Sequence, residues 1–301
     1  MPPLIVDTDP GVDDAVALML AAASPEADMR AVTTVFGNVA LAATTANAAR
    51  VLALAGRSDV PLAAGAARPL VHAQRMRART RHGGDGLGGQ AATLPPGVPP
   101  EHRGAVALIA DVLRASAEPV TIASIGPLTN IALLHAVHPE LADRIARIVV
   151  MGGALGRGAT TGAAEFNVGS DPEAAQRVLT QTDVRVTLVP LEVTMRCTAD
   201  RAWLAALAGA GPACTLLASI LAHHPAARPD AVALHDPVAV LEAVRPGTLR
   251  TEPVPLQVVC DLGPARGVTA RTASGPTVDV AVDVTGGPAY LLAEVLRRLT
   301  G

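Results

Sequence analysis

Short apolar runs rich in Val and Ile alternate along this chain with longer stretches rich in Ala and Leu. The apolar runs have the length and residue types of buried strands, and the stretches between them suit helices. This alternation indicates parallel strands in one sheet that helices cover on both faces. The predicted strands are 3–7, 29–38, 59–65, 118–126, 147–153 and 184–190, and the predicted helices are 13–23, 40–55, 127–137 and 171–180.

The C-terminal part of the chain follows a different pattern. Three β-rich segments, 256–262, 267–273 and 278–284, predict hairpin strands before a last helix at 287–299. We therefore expect an α/β fold with an open, mainly parallel, Rossmann-like sheet and a small C-terminal antiparallel hairpin region. No repeat or linker interrupts the chain, so residues 1–301 are interpreted as a single domain.

Residues 68–104 are rich in Gly, Pro, Arg and His and predict a long surface excursion. Long loops in compact domains are often functional. In sheets of the expected kind, a ligand lies beyond the carboxyl ends of the strands, where several loops meet.

Composition narrows the range of functions. Half of the 301 residues are hydrophobic and 17% are charged, which is typical of a globular protein. The net charge of −3 argues against nucleic acid as a partner, and no apolar run approaches the ~20 residues that span a bilayer. The first strand begins directly, without a basic segment or cleavage site before it, so we expect a cytoplasmic protein.

Four aspartates fall within eight positions in the stretch "VDTDPGVDDA", at Asp7, Asp9, Asp13 and Asp14. Turn chemistry and a helix dipole explain one or two of them, because Asp-Pro-Gly suits a turn and acids suit a first helical turn. Asp9 and Asp14 flank the turn and can grip one cation from both sides. Oxygen ligands without clustered Cys or His favour Ca²⁺ or Mg²⁺, and Asp13 can then accept a proton from a water on the metal.

A second interpretation starts from the same aspartates. Haloacid-dehalogenase-type phosphatases place a D-x-D pattern after a first strand, and they usually need a lysine to neutralise the phosphoryl group. This chain contains no lysine, and its D-x-D pattern continues into P-G-x-D-D. The phosphatase interpretation is therefore the weaker one.

The stretch "DTDPGVDDAVAL" (7–18) resembles the signature of the nucleoside hydrolases of the inosine–uridine-preferring type. Further stretches agree with that family in order and spacing, and the resemblance covers nearly the whole chain. They are "GN" (37–38), "HGGDGLGG" (82–89), "GPLTNIAL" (126–133), "MGGA" (151–154), "AAEFN" (163–167), "DPEAA" (171–175) and "HDPVAV" (235–240).

The resemblance implies a Ca²⁺ ion held by three carboxylates and one main-chain carbonyl. These ligands would be Asp9, Asp14, Asp236 and Ile125. Asp13 would be the general base that activates the calcium-bound water, and Asp7 would orient the loop.

The resemblance also implies a small-molecule ribonucleoside substrate, with ribose and a free base as products. Asn38, Glu165 and Asn167 would hydrogen-bond the nucleoside. Cleavage of an N-glycosidic bond passes through an oxocarbenium-like transition state, and carboxylates such as Glu165 and Asp13 would stabilise its positive charge.

Several histidines have two interpretations each. His235 precedes a proposed metal ligand, and the resemblance suggests that it helps protonate or polarise the leaving base, whereas a lone histidine is more often a structural hydrogen bonder. His82 either belongs to a mobile lid or is simply solvated. His223 and His224 stand where relatives often carry aromatics over the base, and they either replace those aromatics or are exposed.

Other features of the site are less determined. Met151 opens the "MGGA" motif and is a further candidate site residue. Ala159 stands where relatives commonly have an asparagine, which predicts a weaker hold on the ribose 5′-hydroxyl. The sequence leaves purine or pyrimidine preference open. The resemblance implies a homodimer or homotetramer.

A non-catalytic nucleoside-binding or sensor protein on the same fold is the remaining class of function. The retained base Asp13 argues against it, because binding alone does not need that residue.

Overall fold

The computed structural model describes residues 1–74, 79–156, 164–223 and 231–301. Within these ranges a nine-stranded sheet runs through the molecule in the order β10-β9-β11-β6-β5-β4-β1-β2-β3. The strands of this sheet are β1 (Pro3–Thr8), β2 (Asp28–Thr34), β3 (Leu62–Ala64), β4 (Val120–Ser124), β5 (Ile145–Met151), β6 (Val186–Val189), β9 (Leu249–Val258), β10 (Thr269–Arg271) and β11 (Thr277–Val284).

Strand direction confirms the predicted mainly parallel sheet. Strands β1 to β6 and β11 pair in parallel, whereas β9 runs antiparallel to both β11 and β10. The predicted C-terminal antiparallel region is thus an extension of the main sheet beyond β6. A separate two-stranded antiparallel sheet, formed by β7 (Thr198–Asp200) and β8 (Ala231–Ala233), was not predicted.

Helices cover both faces of the sheet and divide the core into two clusters. Successive residues of β1 show this division, because Leu4 and Val6 belong to one cluster and Ile5 to the other. The helices are α1 (Val12–Ala22), α2 (Leu41–Leu54), α3 (Arg79–His82), α4 (Ala105–Ala115), α5 (Thr129–Val137), α6 (Phe166–Ser170), α7 (Pro172–Thr180), α8 (Leu191–Thr194), α9 (Arg201–Ala208), α10 (Pro212–Ala222), α11 (His235–Val244) and α12 (Pro288–Thr300), with 3₁₀ turns at Ala91–Thr93 and Pro139–Arg144. Among the described residues, no helix combines the length and the apolar character needed to cross a bilayer.

The excursion predicted for residues 68–104 is only partly a surface feature. It contains α3 and one 3₁₀ turn, and its Leu87 is completely buried. The prediction of a surface segment is therefore wrong for its central part, which packs onto the body of the molecule.

The sheet has its switch point between β1 and β4. The chain moves from β1 outward to β2 and β3, and from β4 outward in the other direction to β5 and β6. In such sheets a crevice opens at the carboxyl ends of the two central strands. Asp7 pairs with Ser124 across them, and the next residue, Ile125, donates its N–H to the Asp7 carbonyl at 2.8 Å. The segment that carries the four aspartates (residues 7–14, here called the aspartate loop) and the loop after β4 therefore start side by side.

Candidate active site

The aspartate loop is held in shape by one of its own carboxylates. β1 ends at Thr8, α1 begins at Val12, and the Asp14 side chain folds back over the turn between them. Its carboxylate accepts hydrogen bonds from Thr8 Oγ1 at 2.6 Å and from the Gly11 N–H at 2.8 Å. These contacts explain why an acid occupies this position in the first turn.

Asp7 is not among the residues that line the cavity, and its side chain links β1 to β2 and α5. Its Oδ1 accepts hydrogen bonds from Thr33 Oγ1 at 2.6 Å and from Asn130 Nδ2 at 2.8 Å. Asn130 also donates to the Thr34 carbonyl and accepts from the Ala66 N–H. Burial raises the pKa of Asp7 to about 6, although these two hydrogen bonds lower it. This position suits the predicted role of orienting the loop.

The Asp9 carboxylate is enclosed by two glycines. A Cβ at Gly37 would come within 1.9 Å of Asp9 Oδ2, and a Cβ at Gly126 within 2.7 Å of Oδ1. Oδ2 accepts the Asn38 N–H at 2.8 Å, whereas Oδ1 is buried without a hydrogen-bond partner. Burial and the charge of Asp14 raise the pKa of Asp9 well above its usual value. Oδ1 therefore keeps its lone pairs available for a cation.

Three carboxylates meet at the start of two helices. One ligand atom each from Asp13, Asp14 and Asp236 lies within 4.8 Å of the other two, and all three residues are buried. Asp13 and Asp14 belong to the first turn of α1, and Asp236 belongs to the first turn of α11. The positive ends of both helix dipoles thus face the group and offset part of its mutual repulsion.

The remaining repulsion appears in the pKa values of the group. Burial and the charge of Asp13 raise the pKa of Asp14 to about 6. Burial, followed by the charges of Asp13 and Asp14, raises the pKa of Asp236 well above its usual value. The carboxylates of this cluster therefore repel one another, and a bound cation would relieve that repulsion.

The donor set fits a hard divalent cation, because it consists of buried oxygens alone. Of the predicted ligands, Asp14 and Asp236 are brought together with Asp13, and Asp9 lies outside that group of three. Ile125 lines the adjoining cavity, and its carbonyl accepts a hydrogen bond from Asn167 Nδ2 at 2.9 Å.

A cavity of about 290 Å³ opens beside the carboxylates at the carboxyl ends of β1, β4 and β5. Most of the residues predicted for the site line it. Among the described residues, its lining comprises Asp13, Asn38, Arg81, His82, Ile125, Met151, Ala164, Glu165, Phe166, Asn167, Leu191, His235 and Asp236.

The two asparagines of the cavity use their amide N–H groups within the protein. Asn38 Nδ2 donates to the Asp9 carbonyl and to Asp14 Oδ2, each at 3.1 Å. Asn167 Nδ2 donates to the main-chain carbonyls at the ends of β4 and β5, at 2.9 and 3.2 Å. Because an amide has two N–H donors, each side chain can offer a ligand only its Oδ1 acceptor.

Glu165 caps the short helix α6. Its carboxylate accepts the N–H groups of Asn167, Gly153 and Val168 at 2.9, 3.0 and 3.1 Å. Burial raises the pKa of Glu165, and these backbone hydrogen bonds lower it in part. The side chain is therefore fixed in the cavity wall by a structural role, and its oxygens retain further lone pairs.

His235 and His82 both line the cavity. The Nδ1 atom of His235 lies 2.8 Å from Thr194 Oγ1. His82 is buried, and its Nδ1 accepts the Val12 N–H at the start of α1, at 3.0 Å. The solvated alternative for His82 is therefore wrong.

His223 lies outside the cavity lining and is exposed. A Cβ at Gly88 would come within 2.5 Å of His223 Cβ, so this histidine packs against the loop that follows His82. His224 and Ala159 lie outside the described residues.

Sequence reasoning missed several residues of this region. Arg81, Phe166 and Leu191 line the cavity without having been proposed. Asn130 stands within the quoted "GPLTNIAL" motif, and that motif was the available signal for its role. Thr194 gave no signal, because a lone threonine in an unassigned segment resembles any other.

Comparison with known proteins gives consistent results. The profile of the family described as "Inosine-uridine preferring nucleoside hydrolase" matches residues 4–288. The pyrimidine-specific ribonucleoside hydrolase RihA of Salmonella schwarzengrund (strain CVM19633) is 40% identical over 309 residues, which cover 98% of each chain. RihA of Escherichia coli O9:H4 (strain HS) is 50% identical over 195 residues, and this match spans 64% of the present chain and 61% of the relative's length.

Among solved structures, a plant nucleoside hydrolase, the PpNRh1 enzyme, superimposes with a TM-score of 0.90 at 30% sequence identity, covering 100% of this chain and 99% of the other. These matches give no support to the phosphatase interpretation of the D-x-D pattern.

Proposed function

Because this chain belongs to the family of inosine–uridine preferring nucleoside hydrolases, we propose that it hydrolyses the N-glycosidic bond of ribonucleosides and releases ribose and a free nucleobase. The single observation that carries this proposal is the buried group of Asp13, Asp14 and Asp236 at the edge of the cavity. Its place at the switch point of the sheet is where an α/β fold of this kind binds ligands.

We propose Ca²⁺ as the cation, held by Asp9, Asp14, Asp236 and the Ile125 carbonyl. The oxygen donors, the partnerless Asp9 Oδ1 and the raised pKa values support a bound cation. When bound, the ion would supply the positive charge that neutralises these carboxylates, orients ribose hydroxyls and makes water more acidic.

Asp13 is the proposed general base. It lines the cavity within 4.8 Å of two other carboxylates, so it can accept the proton of the attacking water beside the anomeric carbon. Water attacks one face of the ribose while the base leaves from the other. The carboxylate of Glu165, which also lines the cavity, stabilises positive charge on the sugar.

Ribose recognition follows from the two asparagines. Asn38 and Asn167 can present only Oδ1 acceptors, and ribose hydroxyls are donors. Both side chains are held by hydrogen bonds to the same loops that carry the proposed metal ligands, so sugar and cation are positioned together.

His235 is the proposed donor to the leaving base, and His82 forms part of the cavity wall beside the start of α1.

We propose pyrimidine ribonucleosides as the preferred substrates, because the relative that is 40% identical over 98% of its length is named as pyrimidine-specific.

The test is ribose release from uridine, cytidine, inosine, adenosine and guanosine. We expect the highest kcat/KM for uridine or cytidine, loss of activity after exhaustive treatment with EGTA, and recovery with Ca²⁺. Nucleoside binding without ribose release would favour the sensor interpretation, and full activity after chelation would exclude the proposed role of Ca²⁺.

Three further properties stay predictions: a homodimer or homotetramer, a cytoplasmic location, and a single domain over residues 1–301. Light scattering measures the oligomeric state.

A further inference from the structure

Thr194 is a completely buried hydroxyl beside the cavity. It is the last residue of α8, and its Oγ1 lies 2.8 Å from His235 Nδ1. Its other hydrogen-bond partner among the described residues is the Leu191 carbonyl, at 3.5 Å. The hydroxyl can donate its one proton to either of these two atoms, and His235 Nδ1 is the nearer.

Backbone hydrogen bonds hold both ends of this contact. The Thr194 carbonyl accepts the Cys197 N–H at 3.0 Å, and the Cys197 carbonyl accepts the Leu234 N–H at 2.9 Å. Leu234 directly precedes His235, so a single chain of main-chain bonds fixes the distance between hydroxyl and imidazole. At its other end, α8 is tied to the cavity wall, because the Leu191 N–H donates to the Gly153 carbonyl at 3.0 Å.

We propose that Thr194 is a positioning residue for the reaction, and that its hydroxyl donates to His235 Nδ1 and holds the imidazole in the tautomer protonated at Nε2. This inference rests on the proposed function, in which His235 donates to the leaving base. A neutral imidazole has one N–H and one acceptor nitrogen, so a hydrogen bond received at Nδ1 assigns the N–H to Nε2.

The tautomer decides what the ring can do for the substrate. Nδ1 is engaged by Thr194, so any hydrogen bond from the ring to a leaving base comes from Nε2. As the N-glycosidic bond breaks, negative charge develops on the base, and a fixed N–H donor stabilises it. Without the hydroxyl, Nδ1 would lose the donor that favours its unprotonated form.

The tautomer can be measured directly in the Ca²⁺-loaded wild-type protein. Long-range ¹H–¹⁵N correlation spectra of ¹⁵N-histidine-labelled protein distinguish the two ring nitrogens, and His235→Ala assigns the signals. We expect His235 to show a protonated Nε2 and an unprotonated Nδ1 while the ring is neutral. A neutral ring protonated at Nδ1 would overturn the proposal without any change at Thr194.

Kinetics of two Thr194 variants supply the second measurement. Thr194→Val removes the hydroxyl at nearly constant volume, and Thr194→Ser retains it. We expect Thr194→Val to lower kcat for uridine by about 10–100-fold with little change in KM, the loss typical of removing an orienting partner. Thr194→Ser, which keeps the hydroxyl, should retain most of the wild-type kcat. Hydrolysis of an aryl riboside whose phenolate leaves without help should be nearly unaffected by either change.

Thr180→Val is the matched control. Thr180 is also a buried threonine, but its hydroxyl donates to the Gln176 carbonyl in α7, away from the cavity. This variant should keep both activities. Equal losses of Thr194→Val on uridine and on the aryl riboside would show a purely structural role and overturn the proposal.

A double variant separates this proposal from the proposed function. In a His235→Ala background, Thr194→Val should cause no further loss on uridine. If His235→Ala itself fails to discriminate between uridine and the aryl riboside, the role of His235 in the proposed function is wrong. If His235→Ala discriminates and Thr194→Val does not, the proposed role of Thr194 alone is wrong.

Discussion

Asp13 and Asp14 are neighbours in the first turn of α1, yet their surroundings differ. Asp14 accepts hydrogen bonds from Thr8 and Gly11 and closes the turn, whereas Asp13 lines the cavity. Adjacent positions on a helix diverge by about 100°. One carboxylate can therefore stabilise the loop while the other faces the substrate.

Replacing Asp13 with asparagine tests this division of roles. The variant keeps the shape of the side chain but removes its ability to accept a proton, so we expect kcat for uridine to fall by about 10²–10⁴-fold. Calcium binding, measured by calorimetry, should persist because Asp9, Asp14 and Asp236 remain. An unchanged kcat would remove Asp13 from the proposed chemistry.

Gly126 offers a test of the Asp9 carboxylate that leaves every proposed ligand in place. In Gly126→Ala the new methyl group would lie 2.7 Å from Asp9 Oδ1 and 3.1 Å from the Asp9 nitrogen, so the carboxylate must move. We expect a clear loss of Ca²⁺ affinity by calorimetry.

Gly84→Ala is the control for that substitution. A Cβ at Gly84 meets nothing within 4 Å, so its Ca²⁺ affinity should match the wild type. Equal affinities for both variants would mean that the enclosure of Asp9 does not govern cation binding.

The predicted strands and helices of the N-terminal half agree with the structure apart from their ends. The spacing of apolar residues and the turn residues that bound each element identify such elements well. β2 ends at Thr34, before the predicted end at residue 38, since the chain turns toward the site there. β9 begins at Leu249 although Pro253 and Pro255 argue against a strand. The register explains this: β10 pairs only with residues 256–258, so neither proline has to donate a hydrogen bond within that ladder.

Asn130, in the second position of α5, joins three parts of the sheet edge. Its amide contacts Asp7, the Thr34 carbonyl and the Ala66 N–H. In Asn130→Ala these buried groups lose a partner, and each such loss costs about 1–3 kcal/mol. We expect a lower urea midpoint with an unchanged m-value. A midpoint equal to that of the wild type would show that water replaces the amide in all three contacts.

The candidate site could be predicted from sequence to the extent that its residues lie in motifs. Asp13, Asn38, Glu165 and His235 were named because each stands in a motif of the sequence, and the fold brings these four to one cavity. Side chains that act through a neighbour, such as Thr194, carry no local signature. Their partners lie far along the chain, and only the folded structure brings Thr194 to His235.

The buried carboxylates also set how the stability of the whole molecule depends on pH. Burial raises the pKa of Asp7 from 3.8 to about 6, and burial together with the charge of Asp13 does the same for Asp14. Burial and neighbouring carboxylates also raise the pKa values of Asp9 and Asp236 well above 3.8. The folded chain therefore binds more protons than the unfolded chain between the two sets of pKa values. Its free energy of unfolding should fall as pH rises through about 4 to 6 and beyond.

Calcium should reverse this trend, because it binds the deprotonated carboxylates and only in the folded chain. We expect the Tm in EGTA to decrease from pH 5 to pH 8 at constant ionic strength, and the gain in Tm on adding Ca²⁺ to grow over the same range. Asp236→Asn removes one of the titrating groups, so its Tm in EGTA should depend less on pH. A calcium-free Tm that rises steadily from pH 5 to pH 8 would contradict this account, since it would require these carboxylates to be stabilised as anions by the protein alone.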